Sequence, residues 1–102
     1  MNNKELKHFR AVIYRNESDT LWLVRCLENN IAAQGKSFDE LLHRFKLTFD
    51  AQAALDKERG LTPFSDSSPA PQKYFDLFEK TENKSISDFE TEGLDTKFAV
   101  CA

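Results

Sequence analysis

Five carboxylates are the residues that most invite a chemical reading. Glu17, Asp19 and Glu28 sit in short polar runs, and Asp39 and Asp50 lie further along, inside a long helical pattern. Acids of this kind hold paired metal ions in two-metal nucleases. That chemistry needs several of them converging within a few ångströms, projected from rigid strands and helices. The first strand-like run, HFRAVIYR at 8–15, contains no acidic residue, and Asp39 and Asp50 sit away from the apolar stripe of their helix. Read this way, the carboxylates are solvated charges.

Cys26, Cys101, His8 and His43 could supply a Cys₂His₂ zinc set, but none of the usual short ligand spacings is present. Cys26 lies inside a strand, without the electropositive, helix-start setting that activates a thiolate, and reads as a small buried hydrophobe. A Cys26–Cys101 thiol pair stays open if the last strand docks beside the second. The glycines, at 35, 60 and 93, do not cluster into a phosphate-cradling loop. No catalytic residue, metal ligand or cofactor is assigned.

These residues must be positioned by a small set of elements. HFRAVIYR alternates, with Phe9, Ala11 and Ile13 on one face and Val12 and Tyr14 on the other, as a strand does. NESDT (16–20) is a polar turn, and LWLVRCL (21–27) is a second strand. Its Trp22, Val24 and Cys26 share one face, and Leu21, Leu23 and Leu27 share the other with Arg25. Apolar residues on both sides predict a central strand covered on both faces. Glu28-Asn29-Asn30 turn the chain into a short third strand, IAAQG (31–35), completing an antiparallel meander. Gly35 frees the backbone for the exit.

Ser37 and Glu40 then have the spacing of a capping box, with the Ser37 hydroxyl accepting from the Glu40 amide and the glutamate reaching back to the Ser37 amide. A helix follows over about 38–58, roughly 30 Å long, with Gly60 just past its end. Phe38, Leu41, Leu42, Phe45, Phe49 and Ala53 form its core stripe. A second stripe, Leu47, Ala51, Ala54 and Leu55, lies about opposite. It must be covered by the C-terminal segment of the same chain or by another chain.

LTPFSDSSPAP (61–71) is a proline-punctuated loop. QKYFDLFEKT (72–81) predicts a short second helix whose aromatic face suits the second stripe. Residues 82–95 are polar, acidic and without period, so they are expected to be loosely ordered, and TKFAVCA (96–102) can add a last strand at a sheet edge. The division is residues 1–81 as the domain and 82–102 as an acidic tail with that terminal strand. The fold class is α+β, with helices on one face of an antiparallel sheet.

Trp22, Tyr14, Phe64, Tyr74, Phe75 and Phe78 read first as core and second as interface anchors, since Trp and Tyr dominate binding hot spots; for Trp22 and Phe75 the two readings weigh evenly. The net charge is −3. Residues 1–36 carry +2, residues 37–81 carry −2 and residues 82–102 carry −3. No Lys/Arg cluster is present to displace counterions from a nucleic acid, so direct DNA binding is not expected. Two cysteines, and the lack of a signal peptide or a long apolar run, point to a cytoplasmic protein with reduced thiols.

The ordered set of AVIYR, LWLVRC, IAAQGKSFDELL and PAPQKYFDLFE, over about residues 9–80, resembles the HicB family of antitoxins. The likeness lies in the aromatic-apolar second strand, the Gln-Gly strand end, the Ser cap and the acidic helix start. The resemblance implies a partial ribonuclease-H-like fold, β-β-β-α-β, without the nuclease carboxylates. It also implies a module that binds a small basic mRNA-cleaving toxin and masks its active site. Many members add a C-terminal DNA-binding domain, for which residues 82–102 are too short and too acidic. A proline common in the family is replaced here by Glu28-Asn29-Asn30.

The expected partner interface comprises Glu17, Asp19, Trp22, Leu47, Phe64, Tyr74, Phe75 and Phe78, with Gly35, Ser37 and Glu40 structural. A homo-oligomer is expected. The alternatives are a HicB-like assembly protein that acts without a toxin and a divergent metal-dependent nuclease.

Overall fold

The computed structural model describes residues 8–81, 88–91 and 94–101. It is an α+β fold. Strands β1 (His8–Arg15), β2 (Trp22–Cys26) and β3 (Ala32–Gly35) form the expected antiparallel meander. Its two turns are fixed by asparagine side chains. Asn16 Oδ1 accepts from the Thr20 and Leu21 amides at 2.8 and 3.0 Å, and Asp19 takes φ 60°. In the second turn Asn30 takes φ 59°, which Asn tolerates, and Asn29 Oδ1 accepts from the Ile31 amide.

Helix α1 (Phe38–Glu58) begins where the capping pattern places it. Ser37 Oγ accepts from the Glu40 amide at 3.1 Å. The Glu40 carboxylate reaches one residue further than expected, taking the Lys36 amide at 2.7 Å rather than that of Ser37. Gly35 is needed for proximity, not for an unusual φ. A Cβ there would stand 2.8 Å from the Leu41 amide nitrogen, so only glycine lets the helix start this close to the strand end. At the far end Gly60 turns the chain with φ 77°.

The expected stripe of α1 packs on one sheet face. Phe9, Ala11, Ile13, Val24, Cys26, Leu41, Phe45, Phe49, Ala53, Phe64 and Phe98 form one buried cluster, with Phe38, Leu42 and Trp22 against it.

The proline loop then carries the chain around the sheet. Phe64 plugs the α1-side core, and the Ala70 amide donates to the Leu27 carbonyl at 2.8 Å beside the β2–β3 turn. Helix α2 (Gln72–Lys80) therefore lands on the opposite face, where Phe78 is buried with Val12, Leu27 and Ala99. This corrects the expectation that both helices share one face and that α2 covers the second stripe of α1. The physical reason is that β1 is apolar on both sides and needs two covers. The second stripe stays exposed, Leu47 at 57% and Leu55 at 39%.

Two strands close the sheet, β4 (Asp88–Thr91) and β5 (Leu94–Val100), in the order β3-β2-β1-β5-β4. The last strand does join the open side of β1, but it runs parallel to it, with His8 opposite Asp95 and Ile13 opposite Val100. β4 then pairs antiparallel outside β5. The sheet is mixed rather than antiparallel, β5 is not at its edge, and the central strand is β1 rather than β2. Residues 88–91 and 94–95 are strand where loose order was expected. The remaining parts of that segment, 82–87 and 92–93, lie outside the described residues. Among the described residues, no helix is long and apolar enough to cross a membrane.

Candidate protein-binding surfaces

The eight residues expected at a partner interface fall into four places. At the β1–β2 turn, Glu17 and Asp19 are exposed beside half-buried Trp22. The Arg15 guanidinium ties this corner together. It pairs with Asp19 at 3.0 Å and lies 4.6 Å from the Trp22 ring, whose edge meets Phe38 at 5.4 Å. Leu47 stands on the outer side of α1. Phe64 is in the α1-side core, 5.3 Å from Phe9 and 4.7 Å from Phe49, and is therefore not a surface anchor. Tyr74, Phe75 and Phe78 line α2 against the other sheet face, Phe78 buried and the other two half-buried.

The acidic groups are also separated. Glu17 and Asp19 follow the end of β1, whereas β4 and the start of β5 pair around its beginning, at His8. The two clusters lie at opposite ends of the sheet, about 25 Å apart along the strand direction.

Sequence reasoning singled out Tyr14 as a core-or-anchor candidate but missed Arg25 and the polar cluster that the two build. The Arg25 guanidinium lies 4.6 Å from the Tyr74 ring and donates to Asn30 Oδ1 at 2.7 Å. The Tyr14 and Tyr74 rings meet tilted at 39°, centroids 6.0 Å apart, and Lys73 Nζ lies 5.1 Å from the Tyr74 ring. Burial, and then Tyr74, push the Tyr14 hydroxyl up. The hydrogen bond from Tyr14, aided by the Arg25 and Lys73 cations, pulls the Tyr74 hydroxyl down. The strand alternation that puts Tyr14 and Arg25 on one face was the available signal.

Next to them α2 leaves the β2–β3 part of this face open, a depression of about 290 Å³ walled by Tyr14, Leu23, Arg25, Ala32 and Gln34. Beyond α2's other side, Arg10 is clamped by Glu28, whose carboxylate accepts from the Arg10 amide and from Nε, each at 2.7 Å. The Arg10 guanidinium also lies 5.5 Å from the Phe75 ring. Tyrosine and arginine displayed on a sheet floor are the residue types that anchor protein interfaces.

The reactive-group candidates are apart. Cys26 is buried on the α1 side, and its thiol is pushed up to about 12, first by burial and then by the Glu28 carboxylate, so it is protonated at neutral pH. Cys101 lies against the α2-side core, with Sγ 2.8 Å from Thr81 Oγ1, so the two thiols are on opposite sides of the sheet and do not pair. Among the described residues no three His, Cys, Asp or Glu side chains converge on one point.

A second polar residue that sequence reasoning missed is Asp56, buried at the end of the α1 stripe. Its Oδ2 accepts from the Phe64 amide at 2.7 Å and its Oδ1 from Gln52 at 3.0 Å. Its register, three residues after Ala53 in the core stripe, was the clue. Comparison with protein-family models, with curated proteins and with solved structures finds no match to this chain.

Proposed function

We propose that this chain is a HicB-like protein-binding module of the antitoxin type, which covers a small basic mRNA-cleaving toxin. The observation that carries the reading is the order of the elements. An antiparallel meander leads through a glycine close-approach and a serine cap into a long helix, and the chain later returns as a strand parallel to β1. That is the β-β-β-α-β order the resemblance implies, with α2 and β4 inserted before the final strand. β1, the centre of the sheet, carries no carboxylate.

The module works by covering a surface. Glu17 and Asp19, exposed at the β1–β2 turn, steer a basic partner. Trp22, Tyr74 and Arg25 offer anchors on rigid elements. The test is affinity capture with the full chain, together with the product of any adjacent small reading frame. The expected result is a stoichiometric complex in which the small protein no longer cleaves RNA. If no adjacent frame encodes a small basic protein and none co-purifies, the antitoxin reading fails. Metal-dependent RNA or DNA cleavage by the chain itself, lost in Asp19→Asn or Glu28→Gln, overturns it in favour of a nuclease.

A further inference from the structure

The outer side of α1 is apolar in its middle and oppositely charged at its ends. At 100° per residue, Arg44, Leu47, Ala51, Leu55 and Glu58 fall within about 40° of one line along the helix. All five are exposed. Leu47, Thr48, Ala51, Gln52 and Leu55 line a shallow groove of about 350 Å³. α2 lies on the far side of the sheet, so it does not reach this seam.

The seam is symmetric about Ala51. Leu47 and Leu55 lie four residues before and after it, and Arg44 and Glu58 seven before and after. We propose that α1 is a docking surface for a second copy of this chain, paired antiparallel about a two-fold axis at Ala51. The small side chain of Ala51 on the axis lets the helices approach. Each Leu47 packs on the partner copy's opposed leucine, and each Arg44 faces the opposed glutamate at the seam's end.

Charge sets the direction. A parallel pairing in register would set Arg44 against Arg44 and Glu58 against Glu58, whereas the antiparallel one pairs opposite signs twice. Arg44 already holds Glu40 at 3.2 Å and the Gln34 carbonyl at 3.2 Å, and its five N–H donors leave room for a further carboxylate. The Glu58 side chain makes no ion pair or hydrogen bond among the described residues. The seam is about 21 Å long, and a single helix pair of this length falls below the roughly 1,000 Å² of a stable interface. The pairing is accordingly weak and reversible. This inference does not depend on the antitoxin reading.

Sedimentation of the full chain from about 5 µM to about 1 mM covers the range expected for such an interface. The expected result is a monomer–dimer equilibrium that Leu47→Asp abolishes. Glu58→Arg and Arg44→Glu should each weaken it about tenfold. The double variant R44E/E58R, and an equimolar mixture of the two single variants, should restore it. Circular dichroism of each variant confirms that the fold is kept. A monomer at every concentration overturns the proposal. So does a dimer that Leu47→Asp leaves intact, or one that both single charge reversals leave unchanged.

Discussion

The two faces of the sheet are built differently. Under α1 the core is a continuous stack of fully buried rings, with Phe9 meeting Phe49 at 5.2 Å and Phe45 meeting Phe98 at 5.7 Å. Under α2 the buried cluster among the described residues is the smaller set of Val12, Leu27, Phe78 and Ala99, ringed by half-buried Tyr14, Tyr74, Phe75 and Leu77. Its rings meet cations as well as carbon: Arg10 over Phe75 and Phe78, and Arg25 and Lys73 over Tyr74. The α1 face holds the fold together. The α2 face is thin, amphipathic and partly open.

The largest test of this contrast removes one ring from each side. Phe45→Ala empties a site with no solvent access and should cost about 3–5 kcal/mol, much of a small domain's stability. Phe78→Ala sits at the rim of the thinner core and should cost about 2 kcal/mol, below the range for enclosed rings. Denaturant midpoints measure both, and amide exchange should show α2 opening in the Phe78 variant while α1 stays protected. Equal losses would break the contrast.

Much of the α1 side was legible in the sequence because local patterns decide it. The Phe38–Ala53 periodicity, the Ser37 cap and the turn asparagines each act within a few residues, and α1 runs over the residues that these signals mark. On the other side α2 itself was legible, expected over 72–81 and found at Gln72–Lys80, but the face it covers was not, because that logic is long-range. The two-sided apolar character of the meander was visible, yet it was assigned to β2. The parallel β1–β5 pairing makes β1 the centre. Strand pairing of that kind joins residues more than eighty positions apart and leaves no local spacing to read. The exposed second stripe followed from the same misplacement: a helix expected to cover it was drawn to the other side of β1. Tyr14 was weighed as core or anchor and Arg25 only as a strand residue, and only the arrival of α2 joins the two to Tyr74.

The next test concerns what locks the loop that divides the two faces. Asp56 is buried and holds the amide of Phe64, a residue at φ 68° whose ring completes the Phe9–Phe49 stack. Asp56→Ala leaves that amide without its acceptor and should cost about 1–3 kcal/mol. Asp56→Asn keeps an acceptor oxygen and should recover part of the loss. If the alanine variant matches wild type in its denaturant midpoint, the loop is held by the Phe64 ring alone. The α1 face would then extend its dominance to the crossing.

The smallest effect lies at the start of α1, where the two partners of the cap can be separated by pH. The Lys36 amide, and then the Arg44 and Lys36 charges, hold the Glu40 carboxyl below its ordinary value of 4.5. A folded-state pKa below the unfolded one means that ionised Glu40 stabilises the fold above the unfolded value, and that this contribution is lost as pH falls through the folded value. Glu40→Gln has no such titration. The stability gap between wild type and Glu40→Gln should therefore be constant near neutral pH and shrink below about pH 4.5. Ser37→Ala removes the hydroxyl acceptor and should cost about 1 kcal/mol at every pH. Denaturant midpoints of the three proteins between about pH 3 and 7 separate the two halves of the cap. A gap for Glu40→Gln that does not change with pH would mean that the carboxylate's charge contributes nothing there. The start of α1 would then be held by the Ser37 cap and the Gly35 close approach, which are features of shape rather than of charge.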